Sequence, residues 1–182
     1  MVCHHVILYG LPDTSIREAK ERVRTAIKNS GYELRSRKVL INLAPANIRK
    51  EGAFFDLPIA VGILCSIGVI KNIPKEDIAF IGELSLDGKV NKVNGTLPMC
   101  IEGKSLGIKK VIVPKENALE ASIVKGIEVI GVNSLKETVN YLNKNNLQPI
   151  YSYNCISPYP PYSRKSREIQ CGFFRSKGTR KC

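Results

Sequence analysis

The sequence predicts a mixed α/β domain, an α+β two-layer sandwich in which helices and short strands alternate and one β-hairpin interrupts them. Five segments repeat apolar residues at helical spacing, and short runs rich in β-branched residues lie between them. The segment Leu86-Asp87-Gly88-Lys89 carries the Asp-Gly pair typical of a tight hairpin turn. At 182 residues and 43% hydrophobic content, the chain is long enough to bury one core.

The first predicted helix begins near Ser15, because Ser15 and Glu18 have capping-box spacing, and it ends before Gly31. Its buried face is formed by Ile16, Ala19, Val23, Ala26 and Ile27. Its exposed face is formed by Arg17, Lys20, Glu21, Arg22, Arg24 and Lys28. Such a face can follow a phosphate backbone but is more often simply solvated, so we assign no binding site to it.

The remaining elements follow in order from the same patterns. Strands are predicted at residues 38–43, 78–84, 89–93, 110–113 and 127–132. Helices are predicted at residues 57–68, 96–106, 115–124 and 134–143, the last with Ser134 and Glu137 at capping-box spacing. After residue 150 neither periodicity continues, and no element is predicted.

Composition excludes several classes of protein. The apolar run at residues 57–70 is only 14 residues long and contains glycines and a serine, so it predicts a buried helix and not a membrane span. The N-terminus shows no secretory signal pattern, and we expect a cytoplasmic protein with no membrane partner.

The cysteines and histidines do not predict a metal site. No two cysteines have C-x-x-C spacing, and His4 and His5 are adjacent. Cys65 and Cys100 lie in apolar helical patterns, where a thiol usually serves as a small hydrophobic group. The other four are Cys3, Cys155, Cys171 and Cys182. We therefore predict no metal ligands, and neither spacing nor composition indicates a cofactor.

Four blocks of sequence together resemble a known family. These blocks are Gly10-Leu11-Pro12-Asp13 with residues 20–24, Asn42-Leu43-Ala44-Pro45-Ala46 with residues 49–52, Phe55-Asp56-Leu57-Pro58-Ile59-Ala60, and Gly82-Glu83-Leu84-Ser85-Leu86-Asp87-Gly88. Gly95-Thr96-Leu97-Pro98 and Val113-Pro114-Lys115-Glu116-Asn117 extend the match. They resemble the N-terminal domain of the ComM/YifB family of bacterial magnesium-chelatase-like AAA+ ATPases.

The resemblance implies a domain with the fold of the Lon proteolytic domain, shared with the second domain of a small-subunit ribosomal protein. In the family this domain precedes an AAA+ ATPase module, and the full-length proteins are hexameric motors that act on branched DNA during natural transformation. ATP and Mg²⁺ would belong to that ATPase module, and the module and further copies would be the partners, together with DNA.

The shared fold raises the question of a serine-lysine peptidase, which needs a hydroxyl whose proton a lysine accepts. The peptidase serine lies in a Gly-Pro-Ser-Ala-Gly turn. The corresponding segment here is Gly52-Ala53-Phe54-Phe55-Asp56, with Phe54 at the serine position, and the lysine position falls near Pro98. The resemblance thus predicts no catalytic residues in this chain.

A nucleotide-binding P-loop is also absent from the sequence. The P-loop motif is G-x-x-x-x-G-K-[ST], whose backbone N–H groups surround phosphates. The pairs Gly88-Lys89 and Gly103-Lys104 both lack the upstream glycine. We therefore predict no cofactor-binding residues and no ATP hydrolysis by this chain.

The two ends depart from the family. Residues 1–9 do not match, residues 10–150 form the family domain, and residues 151–182 form a basic tail where the family has a linker to the ATPase. We hypothesise that both ends are translated out of frame, which would leave the domain incomplete at its N-terminus; the coding DNA tests this. The alternative is a divergent disordered tail.

The net charge of +12 supports a second functional reading. About half of the excess lies in residues 151–182, which hold seven Lys and Arg against Glu168 alone. The first hypothesis is that the chain is a non-catalytic domain of a DNA-processing ATPase. The second is that it is a small basic nucleic-acid-binding protein. A Lon-like peptidase is the third.

Overall fold

The computed structural model describes residues 6–9, 14–34, 39–43, 52–72 and 77–144. Its helices are α1 (Thr14–Asn29), α2 (Asp56–Ser66), α3 (Thr96–Ser105), α4 (Ala118–Ala121) and α5 (Leu135–Lys144). Its strands are β1 (Val6–Tyr9), β2 (Val39–Asn42), β3 (Ile78–Phe80), β4 (Glu83–Leu84), β5 (Val90–Asn91), β6 (Lys110–Pro114) and β7 (Glu128–Val132). The mixed α/β class predicted from the sequence is confirmed.

The strands form three small sheets. β1 and β2 pair in parallel, β3, β6 and β7 form a parallel sheet in that order, and β4 and β5 form the antiparallel hairpin. In the three-stranded sheet Val111 lies opposite Val129 and Ile112 opposite Ile130. The sequence analysis assigned no element before residue 10, whereas β1 lies at residues 6–9.

Apolar side chains cover both faces of the β3-β6-β7 sheet. On one face Ile112, Ile130 and Val132 join the cluster formed with α1, α2 and α5. On the other, Val111, Val113 and Val129 join the cluster formed with α3 and α4. Alternate residues of one strand thus face opposite cores, which is why these strands are apolar runs without alternation.

α2 is the central buried helix, as predicted. Leu57, Ala60 and Leu64 have no exposed surface, and the helix packs against α1 and α5. In the described part of the chain, no helix combines the length and apolar character needed to cross a bilayer.

Several predicted boundaries need correction. The strand predicted at residues 78–84 is two strands, β3 and β4, which belong to different sheets. The strand predicted at 89–93 is only β5. The helix predicted at 115–124 begins as a 3₁₀ turn at Lys115–Asn117 and continues as α4. The first helix begins at Thr14, so Ser15 is its second residue and not its cap.

Two predicted helix ends are confirmed. Gly31, with φ of +81°, follows α1, and the Tyr32 amide donates to the Ile27 carbonyl. At α5 the Ser134 hydroxyl accepts a hydrogen bond from the Glu137 amide at 3.2 Å. The Glu137 carboxylate accepts from the backbone N–H of Asn133 at 2.7 Å, one residue before the position that a standard capping box uses.

Candidate functional site

The segment predicted to replace the peptidase's catalytic turn is a 3₁₀ turn, Ala53–Phe55, that leads into α2. It follows Gly52, whose φ of +94° is a conformation that L side chains rarely adopt. A Cβ at Gly52 would also lie 2.8 Å from Cε1 of Phe54. The Phe54 ring lies beside Phe55, with centroids 4.3 Å apart. The turn is therefore shaped by aromatic packing.

Phe54, at the position of the peptidase serine, packs against both apolar clusters. It offers no hydroxyl that could attack a carbonyl. Pro98, near which the predicted lysine position falls, is an exposed residue of the first turn of α3, and it offers no proton acceptor. These two residues cannot perform serine-lysine chemistry.

The polar centre of this region is an ion pair between Arg22 of α1 and Asp56 at the start of α2. Arg22 Nε donates to Asp56 Oδ2 at 2.8 Å, and its Nη2 donates to Oδ1 at 3.0 Å. The Leu84 amide donates to Asp56 Oδ2 at 3.2 Å, which ties the hairpin to the same carboxylate. The Asp56 side chain is fully buried, while 24% of the Arg22 side chain is exposed.

Burial raises the pKa of the Asp56 carboxyl, and the hydrogen bonds from Arg22 and Leu84 act in the opposite direction. The hydrogen bond to Asp56 in turn raises the pKa of Arg22. Both carboxylate oxygens are occupied by protein donors, so Asp56 is placed to hold three elements together and not to exchange protons with a substrate.

The prediction that Arg22 belongs to the solvated face of α1 is wrong. Arg22 lies at the edge of that face and turns its guanidinium to Asp56. The signal that could have found it is Asp56 itself, since a carboxylate that opens an apolar helix needs a cation when it is buried.

Backbone contacts join the same turn to the hairpin. The Gly82 amide donates to the Phe54 carbonyl at 3.1 Å, and the Leu57 amide donates to the Gly82 carbonyl at 3.0 Å. A Cβ at Gly82 would lie 2.8 Å from Val90 Cγ1 and 3.2 Å from Leu57 Cδ2, so only glycine fits. These contacts divide the predicted 78–84 strand at Gly82, which pairs with the turn, whereas the Ile81 amide still donates to the Ile112 carbonyl of β6 at 2.9 Å.

The predicted hairpin turn is confirmed and is closed by its own side chains. The Ser85 hydroxyl donates to Asp87 Oδ1 at 2.6 Å, and the Lys89 amide donates to the same oxygen at 3.0 Å. These bonds lower the pKa of Asp87. Gly88 has φ of +86°, and its carbonyl accepts from the Leu135 amide at the start of α5. This carboxylate, too, is used for structure.

A second buried polar group, which the sequence patterns did not predict, joins the segment after β5 to α3. Asn117 is fully buried and bonds both backbone groups of Val93, at 3.0 Å to the amide and 2.8 Å to the carbonyl. The Glu120 carboxylate accepts from Asn117 Nδ2 and from the Leu97 amide at the start of α3. Asn117 was quoted only as part of a motif.

The described residues include no cluster of His, Cys, Asp and Glu that could hold a metal. Cys65 on α2 is half-buried and Cys100 on α3 is buried, and neither forms a disulfide with a described residue. Burial raises the pKa of the Cys65 thiol to about 11, which disfavours the reactive thiolate near neutral pH. Cys3, Cys155, Cys171, Cys182 and both histidines lie outside the described residues.

The two Gly-Lys pairs do not lie in phosphate-binding loops. Gly88-Lys89 is in the hairpin turn. Gly103-Lys104, which is followed by Ser105, lies within α3, where Gly103 is buried and Lys104 Nζ donates to the Lys125 carbonyl. A P-loop precedes a helix and presents free backbone N–H groups, which residues inside a helix cannot do.

A family model described as subunit ChlI of Mg-chelatase matches residues 3–117. The chain belongs to this Mg-chelatase ChlI family. The match begins seven residues before Gly10, the boundary predicted from the sequence. The limits predicted for the tail, residues 151–182, and the reading-frame hypothesis stay predictions.

Curated relatives place this ChlI-family chain beside the proteins that the sequence resembles. It is 34% identical over 143 residues to Competence protein ComM of Haemophilus influenzae, covering 79% of this chain and 28% of ComM. It is 40% identical over 119 residues to the uncharacterized protein YifB of Escherichia coli, covering 65% of this chain and 23% of YifB. The predicted ComM/YifB resemblance is confirmed, and the chain spans about a quarter of the length of these relatives.

The predicted relation to Lon is also confirmed. The chain is 33% identical over 129 residues to Lon protease 2 of Bacillus subtilis, covering 69% of this chain and 22% of that protease. This ChlI-family chain is therefore similar to a protease over part of its length. Phe54 and the neighbourhood of Pro98 remain the predicted counterparts of the peptidase's serine and lysine.

Proposed function

We propose that this chain is a non-catalytic domain of a magnesium-chelatase-like ATPase that processes DNA. The single observation that carries the non-catalytic part is Phe54, which packs into two apolar clusters at the position of the peptidase serine. The buried carboxylate beside it, Asp56, is occupied by Arg22 and Leu84. The role of the domain would be to maintain the shape of the protein and to contact partners. ATP and Mg²⁺ would act in a separate ATPase module.

The DNA-processing part rests on the family. ComM is named for competence, and the resemblance implies that full-length relatives are hexameric motors on branched DNA. We infer that DNA, an ATPase module and further copies of the protein are the partners of this domain, and that it works in the cytoplasm.

The second candidate, a small basic nucleic-acid-binding protein, is favoured by the distribution of charge. The described residues hold fifteen Lys and Arg against twelve Asp and Glu, while the rest of the chain holds thirteen against four. Most of the net charge therefore lies outside the described body. In this candidate the tail would supply the affinity through release of counterions from DNA.

Binding of labelled forked and linear DNA by the full chain, measured over a range of salt concentrations, separates the two candidates. A variant with all seven Lys and Arg of residues 151–182 changed to Gln is the comparison. The first candidate predicts a preference for forked DNA that survives the change. Loss of all binding in the variant supports the second candidate, and no binding by either protein at low salt contradicts both.

A further inference from the structure

We propose that one side of α1 binds the sugar-phosphate backbone of nucleic acid through Lys20, Arg24 and Lys28, here named the basic stripe. The inference deepens the proposed function and rests on it, because it assigns the DNA contact to a surface of the folded body. It concerns backbone recognition, which is electrostatic and independent of base sequence.

The basic stripe follows from helix geometry. Its members are spaced by four residues, so each lies about 6 Å further along the axis on the same side of the helix. Val23, Ala26 and Ile27 are fully buried, which fixes the orientation of α1 against the core. Lys28 is exposed, and Lys20 and Arg24 are half-buried, as expected for long side chains at the edge of a buried face.

The charges of the basic stripe are not neutralised within the described body. None of its three members forms an ion pair with a described residue. The neighbouring Arg22 differs, since Asp56 uses its guanidinium. Glu21 is exposed beside the stripe and leaves an excess of two positive charges among these four residues.

Two lysines elsewhere in the fold are paired, whereas others, such as Lys92, Lys115 and Lys125, form no ion pair with a described residue. On β6 and just before it, Lys110 lies 3.0 Å from a Glu128 oxygen, and Lys109 lies 3.5 Å from an Asp77 oxygen. A helix dipole favours a cation at its C-terminal end, which accounts for Lys28. It does not account for Lys20 and Arg24, which lie in the middle of the helix.

The hairpin and the start of α5 lie beyond the end of α1, and their two lysines are accompanied by the carboxylates of Asp87 and Glu137. Asn29 Nδ2 donates to the Leu86 carbonyl at 2.8 Å, which brings the hairpin turn to the end of α1. The Leu135 amide donates to the Gly88 carbonyl at 2.9 Å, which brings the start of α5 to the same turn. Lys89 and Lys136 are exposed there, with Asp87 as the exposed acidic residue of the turn.

The test is salt-dependent binding of duplex DNA by the full chain and two matched variants. The stripe variant carries Lys20→Gln, Arg24→Gln and Lys28→Gln. The control variant carries Lys92→Gln, Lys115→Gln and Lys125→Gln, which remove the same charge from exposed positions on the β5, α3 and α4 side. Glutamine is a good helix former, and circular dichroism checks that both variants fold.

The proposal predicts that the slope of log affinity against log salt falls by about three in the stripe variant, and by less than about one in the control. Equal weakening of both variants would show that only net charge matters and would overturn the stripe. Unchanged binding by the stripe variant would overturn it too, while leaving DNA binding by the protein intact.

Failure of the proposed function looks different. If the full chain itself binds no DNA at low salt, the result contradicts both the DNA part of the proposed function and the proposed contact of DNA with the basic stripe. If vesicles of phosphatidylserine bind through the stripe and DNA does not, the surface is a membrane contact and the proposal is overturned.

Discussion

At the scale of single residues, Asp56 shows how one buried charge holds three elements together. Its two oxygens accept three hydrogen bonds from α1 and the hairpin, so one side chain fixes the relation of three elements. A buried pair of this kind adds little net stability, but removing one partner leaves an uncompensated charge. Variants of Arg22 are therefore informative.

We expect Arg22→Met to lower the free energy of unfolding by about 3 kcal/mol, because it leaves the Asp56 carboxylate buried without its cation. Arg24→Met, two residues along the same helix, removes an unpaired charge and should cost less than about 1 kcal/mol. Urea unfolding at neutral pH measures both. Equal losses in the two variants would contradict the structural role of Arg22.

Arg22→Met should also change how the stability of the protein depends on pH. Burial already raises the pKa of Asp56, and loss of Arg22 removes the largest opposing influence, so the pKa rises further in the variant. A carboxyl whose pKa is higher in the folded state than in the unfolded state binds its proton on folding. The deficit of Arg22→Met should therefore shrink as pH falls towards 4, whereas a deficit that is constant with pH would contradict it.

The contribution of Asp87 to stability should depend on pH in the opposite direction. The hydrogen bond from the Ser85 hydroxyl, followed by that from the Lys89 amide, lowers its pKa from the ordinary 3.8. Its contribution to stability is present above pH 3.8 and is lost as pH falls through the lower, folded value. In an NMR titration Asp87 should titrate below 3.8, and Ser85→Ala should raise its pKa towards that value. Identical titration in both proteins would contradict the assigned cause.

At the scale of elements, the fold depends on a close approach between β5, α2 and the turn before α2. Gly82 permits it. Its φ lies outside the left-handed region, so the requirement for glycine there is steric and arises from Val90 and Leu57. The site where the chain leaves the sheet is thus specified by neighbours distant in sequence.

Gly82→Ala should destabilise the protein by about 1–3 kcal/mol, because the added Cβ would lie 2.8 Å from Val90 Cγ1. Val90→Ala removes that methyl group. The loss of unfolding free energy in the double variant should therefore be smaller than the sum of the two single losses by at least about 0.5 kcal/mol. Thermal or urea unfolding of the four proteins in this cycle measures the coupling. Strict additivity would show that the two residues do not meet.

The elements differ in how far the sequence predicts them. α2, β6, β7 and the hairpin turn follow from local patterns, since apolar runs, β-branched residues and an Asp-Gly pair act over a few residues. The break at Gly82 and the Arg22–Asp56 pair arise from contacts 25 to 34 residues apart, which no local pattern contains. Periodicity placed Arg22 near solvent, and only its partner shows the role.

The prediction that the peptidase dyad is replaced comes from the resemblance. Phe54 and Pro98 at the two positions of the peptidase dyad are visible once the resemblance is drawn, and the structure places Phe54 among apolar side chains. The Asn117–Glu120 group and the basic stripe's lack of ion pairs with described residues could be found only from the structure.

At the scale of the whole molecule, one sheet with apolar clusters on both faces supports a separation of roles. The carboxylates of Asp56, Asp87, Glu120, Glu128 and Glu137 accept hydrogen bonds or ion pairs from the protein itself. These five carboxylates therefore serve the structure of the described body. What it offers to partners is a surface on which several cations, those of the basic stripe among them, form no ion pair with a described residue.

The most direct test of this account is the mass of the intact, purified chain after incubation with a fluorophosphonate probe, which forms an adduct with activated serine hydroxyls. Lon protease 2 of Bacillus subtilis is the positive control. With Phe54 at the position of the nucleophile and Pro98 at that of the lysine, the account predicts no mass increase in the native chain. A stoichiometric adduct that disappears on denaturation before labelling would contradict it, because it would reveal an activated serine that this reading of the domain excludes.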